Sequence, residues 1–405
     1  MAFFDDLETR SSDQRSTENA ALLKGILNLA VNLDGYKVAF GSVDLSKFKS
    51  LEDLPSLPVL RKSELSEKQV KSNLLGGFSA KKPHDFAHIF QSPGPIYEPG
   101  GVSHDWWRIG RFLHALNIGK GDIVHNCFSY HLTPAGAIFE SGARAVGAAV
   151  VPAGVGQTEL QVRAASDIGS NVYSGTPDYL KIILDKADEM GEKLSFNRAA
   201  VGGGALFPSL RQEYADRGIV CRQNYATADL GNVAYESEAL DGMIVDEGVI
   251  VEIVTPGTGN PVPIGEVGEV VVTSLNADYP LIRFATGDLS AFMEGVSPCG
   301  RTNIRIKGWM GRADQTTKIK GLFVRPEQVA DLVSSHKDIQ RARVIATREG
   351  EIDVMTVKIE TDHQDPAAFE ASITSTLKLK GIVELLGPGS LPRDGVVIED
   401  LREYD

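Results

Sequence analysis

Strand-like and helix-like segments alternate between residues 121 and 193, and this alternation limits the possible folds more than any other feature of the chain. GDIVHNCF, VGAAVVPAG and NVYSG have the composition of buried strands, whereas TPAGAIFESGARA and TPDYLKIILDKADEMGEK have the pattern of helices. The second helical pattern carries one apolar stripe, formed by Leu180, Ile183, Leu184 and Ala187. Strands and helices in this order predict a layered α/β core.

The sequence on either side of this core has other patterns. Two apolar stripes before it predict amphipathic helices, one with Leu23, Ile26, Leu27 and Ala30 and one with Ile109, Phe112, Leu113 and Leu116. From about residue 248, two β-rich runs joined by a Pro/Gly cluster predict a β subdomain. The last part of the chain predicts a smaller unit, in which a hairpin that turns at Glu349 and Gly350 lies between two helices.

The chain has 405 residues, more than one hydrophobic core usually supports. We therefore predict an α/β protein with a large multi-layer N-terminal domain, which includes the β-rich subdomain, and a small α+β C-terminal domain. The expected parts are a helical region packed on the large domain (1–80), the large domain itself (81–311) and the small domain (312–405).

Charge and composition exclude several classes of function. A net charge of −13 argues against nucleic acid as a partner, because phosphate contacts need clustered lysine and arginine. The start, MAFFDDLETR, is acidic where a signal peptide is basic, and no apolar run is long enough for a membrane span. We therefore expect a cytoplasmic protein without a membrane partner. Cys127, Cys221 and Cys299 lack metal-ligand or disulfide spacing, and we interpret them as small core residues or bystanders.

The segment YATADLG (225–231) offers three kinds of contact within five positions after a predicted strand. Tyr225 supplies a stacking face, Ala226 and Thr227 are small residues of which one carries a hydroxyl, and Asp229 supplies an oxygen that could bind a metal. An ordinary exit from a strand into a loop has the same appearance. The motif alone leaves both interpretations open.

Two later segments add charged groups. In PLIRFATGDLS, Arg283 precedes a Thr-Gly turn and Asp288 follows it, where a short carboxylate can bind a ribose diol or simply cap the turn. GRADQTTKIKGLFVRPEQ is unusually basic for this acidic chain, and a solvated surface is the alternative interpretation. Its charged residues include Arg312, Asp314, Lys318 and Lys320.

Taken in order, these segments resemble the adenylate-forming ligases, and most closely the phenylacetate-CoA ligase family. The likeness runs from about residue 80 to the C-terminus, and the matching segments are PAGVGQTELQ, SGTPDYL, YATADLG, IRFATGDL, CGR and GRADQTTKIKGLFVRPEQV. Glycine and proline positions in VPAGVGQTE and VGGGALFP fit the same scheme.

The resemblance implies a large AMP-binding domain and a small domain that rotates about a hinge near Asp314. In the family, a carboxylate attacks the α-phosphorus of ATP to give an acyl-adenylate and pyrophosphate, and coenzyme A then displaces AMP. It therefore implies ATP or AMP, coenzyme A and Mg as cofactors, a small carboxylic acid or its CoA thioester as the partner, and a homodimer.

By motif match, the resemblance also implies roles for individual residues. Tyr225 would flank adenine, Asp288 would bind the ribose hydroxyls, and Arg312 would reach the ribose or phosphate. Asp229 takes the place of the family's magnesium-binding glutamate and is one methylene shorter. Ala226, Thr227, Arg283, Gly203 and Gly204 complete the implied nucleotide site, and Lys318, Lys320 and Asp314 the implied catalytic set.

The acyl pocket is implied by FSYHLTPAG and GGGALFP. Tyr130 and His131 align with the family segment that lines the acid-binding site, and Leu206 and Phe207 stand near a glutamate and a proline of the family. Ala205 and Leu206 complete the implied substrate site. A histidine beside aromatic residues is more often structural. Apolar residues after GGGA suit an aryl or hydrophobic acid.

The chain departs from the family in two phosphate-handling segments. The family's loop resembles SSGTTGKP, whereas QSPGPIYEPGG (91–101) holds three prolines without N–H groups, an added Glu98 and no lysine. The family ends with a lysine in GSLPRSEGKAKR, whereas this chain reads GSLPRDGVVIEDLREYD and has Val396 after Gly395. Losing one such cation commonly costs about a hundred- to a thousandfold in rate.

Three hypotheses follow. The chain could be a ligase that holds ATP through Ser92, Ser103 or Arg108, with Lys318 or Lys320 in place of the missing lysine. It could instead be a degenerate member that handles an acyl-adenylate or acyl-CoA without ordinary adenylation. It could also be a binding protein for AMP or a CoA thioester.

Overall fold

The computed structural model describes residues 3–41, 43, 45–254, 259–313, 317–349, 352–392 and 397–402. They divide into two compact units. The first takes in the described residues of Met1–Thr286 and Ser290–Trp309, and the second those of Gly287–Leu289 and Met310–Asp405.

The α-helices described in the first unit lie before residue 220. They are α1 (Ser12–Ala30), α2 (Asp34–Phe40), α3 (Lys62–Lys68), α4 (Gly110–Ala115), α5 (Ala135–Ala145), α6 (Thr158–Ile168), α7 (Pro177–Met190) and α8 (Pro208–Asp216). Its strands are β1 (Leu60–Arg61), β2 (His88–Ser92), β3 (Ile96–Gly100), β4 (Ile123–Asn126), β5 (Ala149–Val151), β6 (Val172–Gly175), β7 (Arg198–Val201), β8 (Val220–Thr227), β9 (Gly231–Glu236), β10 (Met243–Val245), β11 (Val249–Val254), β12 (Gly268–Ser274), β13 (Phe284–Ser290, which continues into the second unit), β14 (Phe292–Met293) and β15 (Arg305–Ile306).

A nine-stranded sheet dominates the described part of the first unit, in the order β14-β15-β10-β9-β8-β7-β6-β4-β5. The strands from β5 to β8 are parallel, because helices connect them, whereas β9, β10, β15 and β14 follow in antiparallel pairings. The predicted stripe of α7 is buried at Leu180, Ile183, Leu184 and Ala187. The α/β prediction is confirmed, and the parallel half of the sheet arises from the segments that predicted it.

A second sheet joins the N-terminal region to the β-rich subdomain. Its strand order is β1-β13-β12-β11, and β1 runs parallel to β13 with Leu60 paired to Phe284. Residues 1–80 therefore contain more than the helices predicted for them. The predicted stripe of α1 is buried at Leu23, Ile26, Leu27 and Ala30.

The proline-rich run at 91–101 is mostly strand, although the sequence suggests a loop. Strands β2 and β3 pair antiparallel from His88 with Gly100 to Ser92 with Ile96, and the turn contains a cis Gly94–Pro95 bond. Proline fits here because each strand of a two-stranded ribbon has one side without a pairing partner.

The second unit is a smaller α+β fold. Its helices are α9 (Pro326–Ser335) and α10 (Ala367–Leu377), and its strands are β16 (Thr317–Ile319), β17 (Leu322–Val324), β18 (Arg341–Glu349), β19 (Ile352–Glu360), β20 (Ile382–Leu386) and β21 (Ile398–Asp400). Four of them form a sheet in the order β20-β19-β18-β21, and β16 pairs with β17 as a short hairpin. Apolar side chains of both helices and of the sheet form its core, including Leu332, Val344, Val357 and Ile373.

None of the described helices is both long enough and apolar enough to cross a membrane.

Candidate functional site

The predicted site residues of the first unit lie where parallel strands end. Tyr130 and His131 follow β4, residues 203–206 follow β7, and Tyr225 and Thr227 end β8. Strands β4, β6, β7 and β8 are neighbours in the sheet and point the same way, so these segments leave from one edge, here termed the carboxyl edge. Ligands of open α/β sheets bind at such an edge.

Asn126, the last residue of β4, organises the first part of the carboxyl edge. Its side-chain amide donates to the Tyr130 hydroxyl at 2.8 Å and to the Gly136 carbonyl at 2.9 Å, and its oxygen accepts from Ser174 at 2.9 Å. The ring of Tyr130 packs on Gly136, where an added Cβ would lie 2.7 Å from ring atoms. Tyr130 is thus held in place, whereas His131 is exposed.

The glycines after β7 lie beside the exits of two neighbouring strands. A Cβ on Gly203 would lie 3.8 Å from Phe128 and 3.9 Å from Thr176, and Gly203 has a left-handed φ of 68°. Gly204 lies next to Pro177. Gly203 and Gly204 are exposed, so a ligand can approach this backbone closely. Ala205 is exposed, but Leu206 is buried in the core and is poorly placed to line an open pocket.

The end of β8 holds the aromatic residue of YATADLG. Tyr225 is only 8% exposed, and its hydroxyl donates to Thr286 Oγ1 at 3.0 Å. A β-bulge separates Tyr225 from Ala226, and Thr227 Oγ1 accepts the Leu230 amide at 3.1 Å. Tyr225 is thus a largely buried support, and Ala226 and Thr227 are the more accessible residues of the motif.

A carboxyl cluster, formed by Lys62, Ser92, Glu98 and Asp229, lies next to this motif. The ammonium of Lys62 donates to Asp229 Oδ2 at 2.6 Å, and the Asp229 side chain is 0% exposed. Glu98 Oε1 accepts a short hydrogen bond from the Ser92 hydroxyl. The second oxygens of both carboxyl groups, Glu98 Oε2 and Asp229 Oδ1, are buried and have no hydrogen-bond partner among the described residues.

Burial and the nearby Asp229 charge raise the pKa of Glu98 to about 7, although Ser92 and Lys62 oppose this shift. Burial also raises the pKa of Tyr279, which senses the charges of both Asp229 and Glu98. The cluster therefore carries both negative charge and a carboxyl group that holds a proton near neutral pH.

Arg283 has a structural role that contradicts its predicted nucleotide contact. Its side chain is buried, and its guanidinium pairs with Glu252 at 2.9 and 3.0 Å. The remaining N–H groups donate to the carbonyls of Pro55, Leu57 and Gly259. All five donors of the guanidinium are used within the protein, so Arg283 has none for a nucleotide.

In the second unit, Arg312 and Asp288 lie together. Nη1 of Arg312 donates to Oδ1 of Asp288 at 3.1 Å, and the two residues form an isolated antiparallel bridge. Asp314, the predicted hinge residue, and Gly395 and Val396, which mark the missing lysine, lie outside the described residues.

The β16–β17 hairpin carries Lys318 and Lys320, which the sequence proposed as substitutes for the missing lysine. Arg402 donates to the Lys318 carbonyl at 2.8 Å and to Asp353 at 2.9 Å, and Asp353 also accepts the Lys320 amide at 2.9 Å. These bonds lower the pKa of Asp353, the Lys320 amide most and then Arg402. The role of Arg402 could not be predicted from the sequence, because it depends on contacts with residues 84 and 49 positions away.

Comparison with known proteins identifies the fold and the family. The phenylacetate-coenzyme A ligase of Thermus thermophilus is 30% identical over 336 residues, which cover 78% of this chain and 74% of that protein. The chain belongs to the phenylacetate-CoA ligase family. The Escherichia coli phenylacetate-coenzyme A ligase is 28% identical over 377 residues, covering 88% of this chain and 84% of that protein. No protein-family model matches the chain.

Solved structures agree with this membership at the level of the fold. A 2-hydroxyisobutyryl-CoA ligase in complex with 2-HIB-AMP and CoA has a TM-score of 0.82 at 21% identity, with 97% of this chain and 93% of that chain covered. ATP-bound MatB from Rhodopseudomonas palustris has a TM-score of 0.57 at 16% identity, with 78% and 67% covered. Both the predicted adenylate-forming fold and its closest family are thereby confirmed.

The β2–β3 hairpin occupies the sequence position of the phosphate loop of the phenylacetate-CoA ligase family. In the pattern SSGTTGKP, the lysine comes four residues after the first glycine and immediately before the proline. Here Gly94 is followed four residues later by Glu98, which immediately precedes Pro99. By this resemblance, a buried carboxyl group stands where the family pattern has an ammonium group.

The side chains named as substitutes for that loop are mostly engaged in the protein. Ser92 donates to Glu98, and Arg108 donates to the carbonyls of Leu230 and Asn232 and to Asp246. Both predictions of a phosphate contact are therefore unsupported by the geometry, while Ser103 is exposed. Lys62, which pairs with Asp229, was not predicted as a site residue, because its sequence surroundings indicate no chemistry.

Proposed function

We propose that this chain is an acyl-CoA ligase that converts an aryl or hydrophobic carboxylic acid, ATP and coenzyme A to an acyl-CoA through an acyl-adenylate. The observation that carries the proposal is the gathering of Tyr130, the glycines after β7 and the end of β8 at one carboxyl edge, in a chain of this family. The edge would bind the adenylate and the acid.

The acyl group is assigned from the side chains at that edge. Tyr130, held by Asn126, would form one wall, and the exposed backbone after β7 would let the acyl-adenylate approach closely. No described residue of 203–206 is charged, which favours an apolar acid over a polar one.

The buried Glu98 favours a second function, the binding of AMP, an acyl-adenylate or an acyl-CoA without ordinary adenylation. A triphosphate carries several negative charges, and the hairpin presents a carboxyl group and prolines where a loop that binds phosphate presents N–H donors and a lysine. A single phosphate needs fewer of these donors than three do.

One experiment separates the two functions. Pyrophosphate release from ATP is measured with a panel of aryl and alkyl acids, and AMP binding is measured by calorimetry on the same preparation. Pyrophosphate release that requires a carboxylic acid supports the ligase. AMP binding without pyrophosphate release supports the second function. The absence of both would contradict both.

The class of carboxylic acid and the oligomeric state are tested in two separate experiments. Thermal-shift screening should show larger stabilisation by aryl and branched alkyl acids than by acetate or lactate, and the reverse order would contradict an apolar pocket. We also propose a homodimer on the family likeness, and light scattering should give about twice the chain mass of 43.6 kDa.

A further inference from the structure

The fold family implies magnesium, and Asp229 is the residue predicted to bind it. Magnesium takes six oxygen ligands at about 2.0–2.1 Å, keeps several waters and uses one or two carboxylates. The Asp229 side chain is 0% exposed, and its Oδ2 already accepts the Lys62 ammonium at 2.6 Å. Because that side chain is buried, a hydrated ion lacks the space that it needs, although Oδ1 of Asp229 has no hydrogen-bond partner among the described residues.

The surroundings of Asp229 do not complete a metal site either. Glu98 is the other carboxyl group of the cluster, and one of its oxygens accepts the Ser92 hydroxyl. Across the described ranges, no group of three or more histidine, cysteine, aspartate or glutamate side chains is arranged to hold a metal ion. Lys62 would also repel a divalent cation, since its positive charge lies within hydrogen-bonding distance of the same carboxylate.

Lys62 is placed by the backbone of the N-terminal region. It is the first residue of α3 and directly follows β1, which is fixed in the sheet by the pairing of Leu60 with Phe284 and Arg61 with Ala285. Its side chain is 27% exposed, so one end of the ion pair is buried and the other can be reached from solvent.

We propose that the ammonium of Lys62 takes the place of a divalent metal at Asp229, so that this pocket binds its ligand without magnesium. The inference rests on the proposed function for the identity of the ligand. Lys62 neutralises the buried carboxylate of Asp229 before any ligand binds. The ion pair therefore has no net charge. This role also gives a function to a cation in the N-terminal region, to which the sequence assigned no chemistry.

Manganese provides a test that needs no nucleotide, because free Mn²⁺ gives an electron paramagnetic resonance signal that is lost when the ion binds. The full chain should leave the Mn²⁺ signal unchanged up to about 1 mM. Lys62→Met should bind one Mn²⁺ at least tenfold more tightly, and adding Asp229→Asn should abolish that gain. Lys71→Met, which removes an exposed lysine nearby, is the matched control and should behave like the unaltered chain.

Binding of Mn²⁺ at the carboxyl cluster of the unaltered chain would be the opposite result. The inference is overturned if the unaltered chain binds one Mn²⁺ and either Asp229→Asn or Glu98→Gln weakens that binding at least tenfold. Binding that both variants retain would place the ion elsewhere and support the inference. If Lys62→Met does not fold, the unaltered chain and these two variants still decide the question.

A second arm uses AMP. The dissociation constant of AMP should agree within twofold between a solution with EDTA and one with about 5 mM magnesium. A tenfold weakening of AMP binding in EDTA would overturn the inference. Absence of AMP binding in both solutions would count against the proposed function instead. The Mn²⁺ measurement would then remain the test of the role of Lys62.

Discussion

Arg312 donates from Nη1 to Oδ1 of Asp288 at 3.1 Å, so the residue predicted to bind the ribose contacts the one predicted to reach the ribose or phosphate. Gly287 permits this approach, because a Cβ there would lie 2.8 Å from the guanidinium. The carboxylate is thus oriented by its neighbour.

We predict that Asp288→Ala weakens AMP binding about ten- to a hundredfold, since hydrogen bonds to a charged group contribute about 1.5–3 kcal/mol. Calorimetry with AMP measures the change. Asp338→Ala, which removes an exposed carboxylate of the same unit, should leave the dissociation constant unchanged. Equal affinities of the Asp288 variant and the unaltered chain would exclude the ribose contact.

Glu98 predicts a pH dependence of stability. Its folded-state pKa of about 7 lies above its ordinary value of 4.5, so the folded chain binds more protons than the unfolded chain between these values. Its contribution to the free energy of unfolding therefore falls as pH rises from about 4.5 to 7, by at most about 3 kcal/mol, and levels off above pH 7.

Urea unfolding of Glu98→Gln at several pH values tests this prediction. Because the variant cannot titrate at this position, its stability should fall less between pH 5 and 8 than that of the unaltered chain. Glu52→Gln, at an exposed carboxylate, should retain the full slope. A slope in Glu98→Gln equal to that of the unaltered chain would refute the role of Glu98.

Arg283→Ala should destabilise the first unit by about 3–5 kcal/mol, because it leaves the Glu252 carboxylate without its partner in the interior. Urea unfolding measures the loss. Arg163→Ala, an exposed arginine in α6, should change stability by less than about 0.5 kcal/mol. A loss below 1 kcal/mol for Arg283→Ala would show that the guanidinium contributes little to this packing.

Gly136→Ala should displace the Tyr130 ring, since the added methyl group would lie 2.7 Å from it. We expect a loss of about 1–3 kcal/mol and weaker binding of aryl acids. Gly25→Ala in α1 meets no atom within 4 Å and should instead stabilise the chain by about 0.5–1 kcal/mol. Unchanged acid binding in Gly136→Ala would separate Tyr130 from the acyl pocket.

Arg402→Ala should loosen the β16–β17 hairpin, because it removes the donor to the Lys318 carbonyl and to Asp353. Hydrogen exchange of the amides in residues 317–324 should accelerate about tenfold, while that of β18 and β19 should not change. Lys337→Ala, at an exposed position, is the control. Unaltered exchange in the hairpin would mean that other contacts hold it.

Apolar periodicity in the sequence predicted the elements that depend on residues close together in the chain. The stripe of α7 became a buried face because its spacing alone determines which side of a helix is apolar. The pairing of Leu60 with Phe284 could not be predicted in this way, since a two-residue strand has no detectable period and its partner is far along the chain.

The site was predictable as a set of segments but not as a set of contacts. YATADLG correctly indicated the end of β8, but it did not reveal that Lys62 pairs with Asp229 across 167 positions of sequence. Arg283 was misassigned for a related reason, because the carbonyls that occupy its guanidinium come from remote loops. Whether an arginine is available to a ligand depends on such partners.

The bond from Arg283 to the Leu57 carbonyl joins residues 226 positions apart, which has a consequence for how the protein is made. Ribosomes add about 5–20 residues per second, so the early segment emerges roughly 11–45 s before the arginine that secures it. During that interval the nascent N-terminal segment lacks the strand and the arginine that later pair with it. We expect this exposed segment to be a binding site for chaperones that act on growing chains.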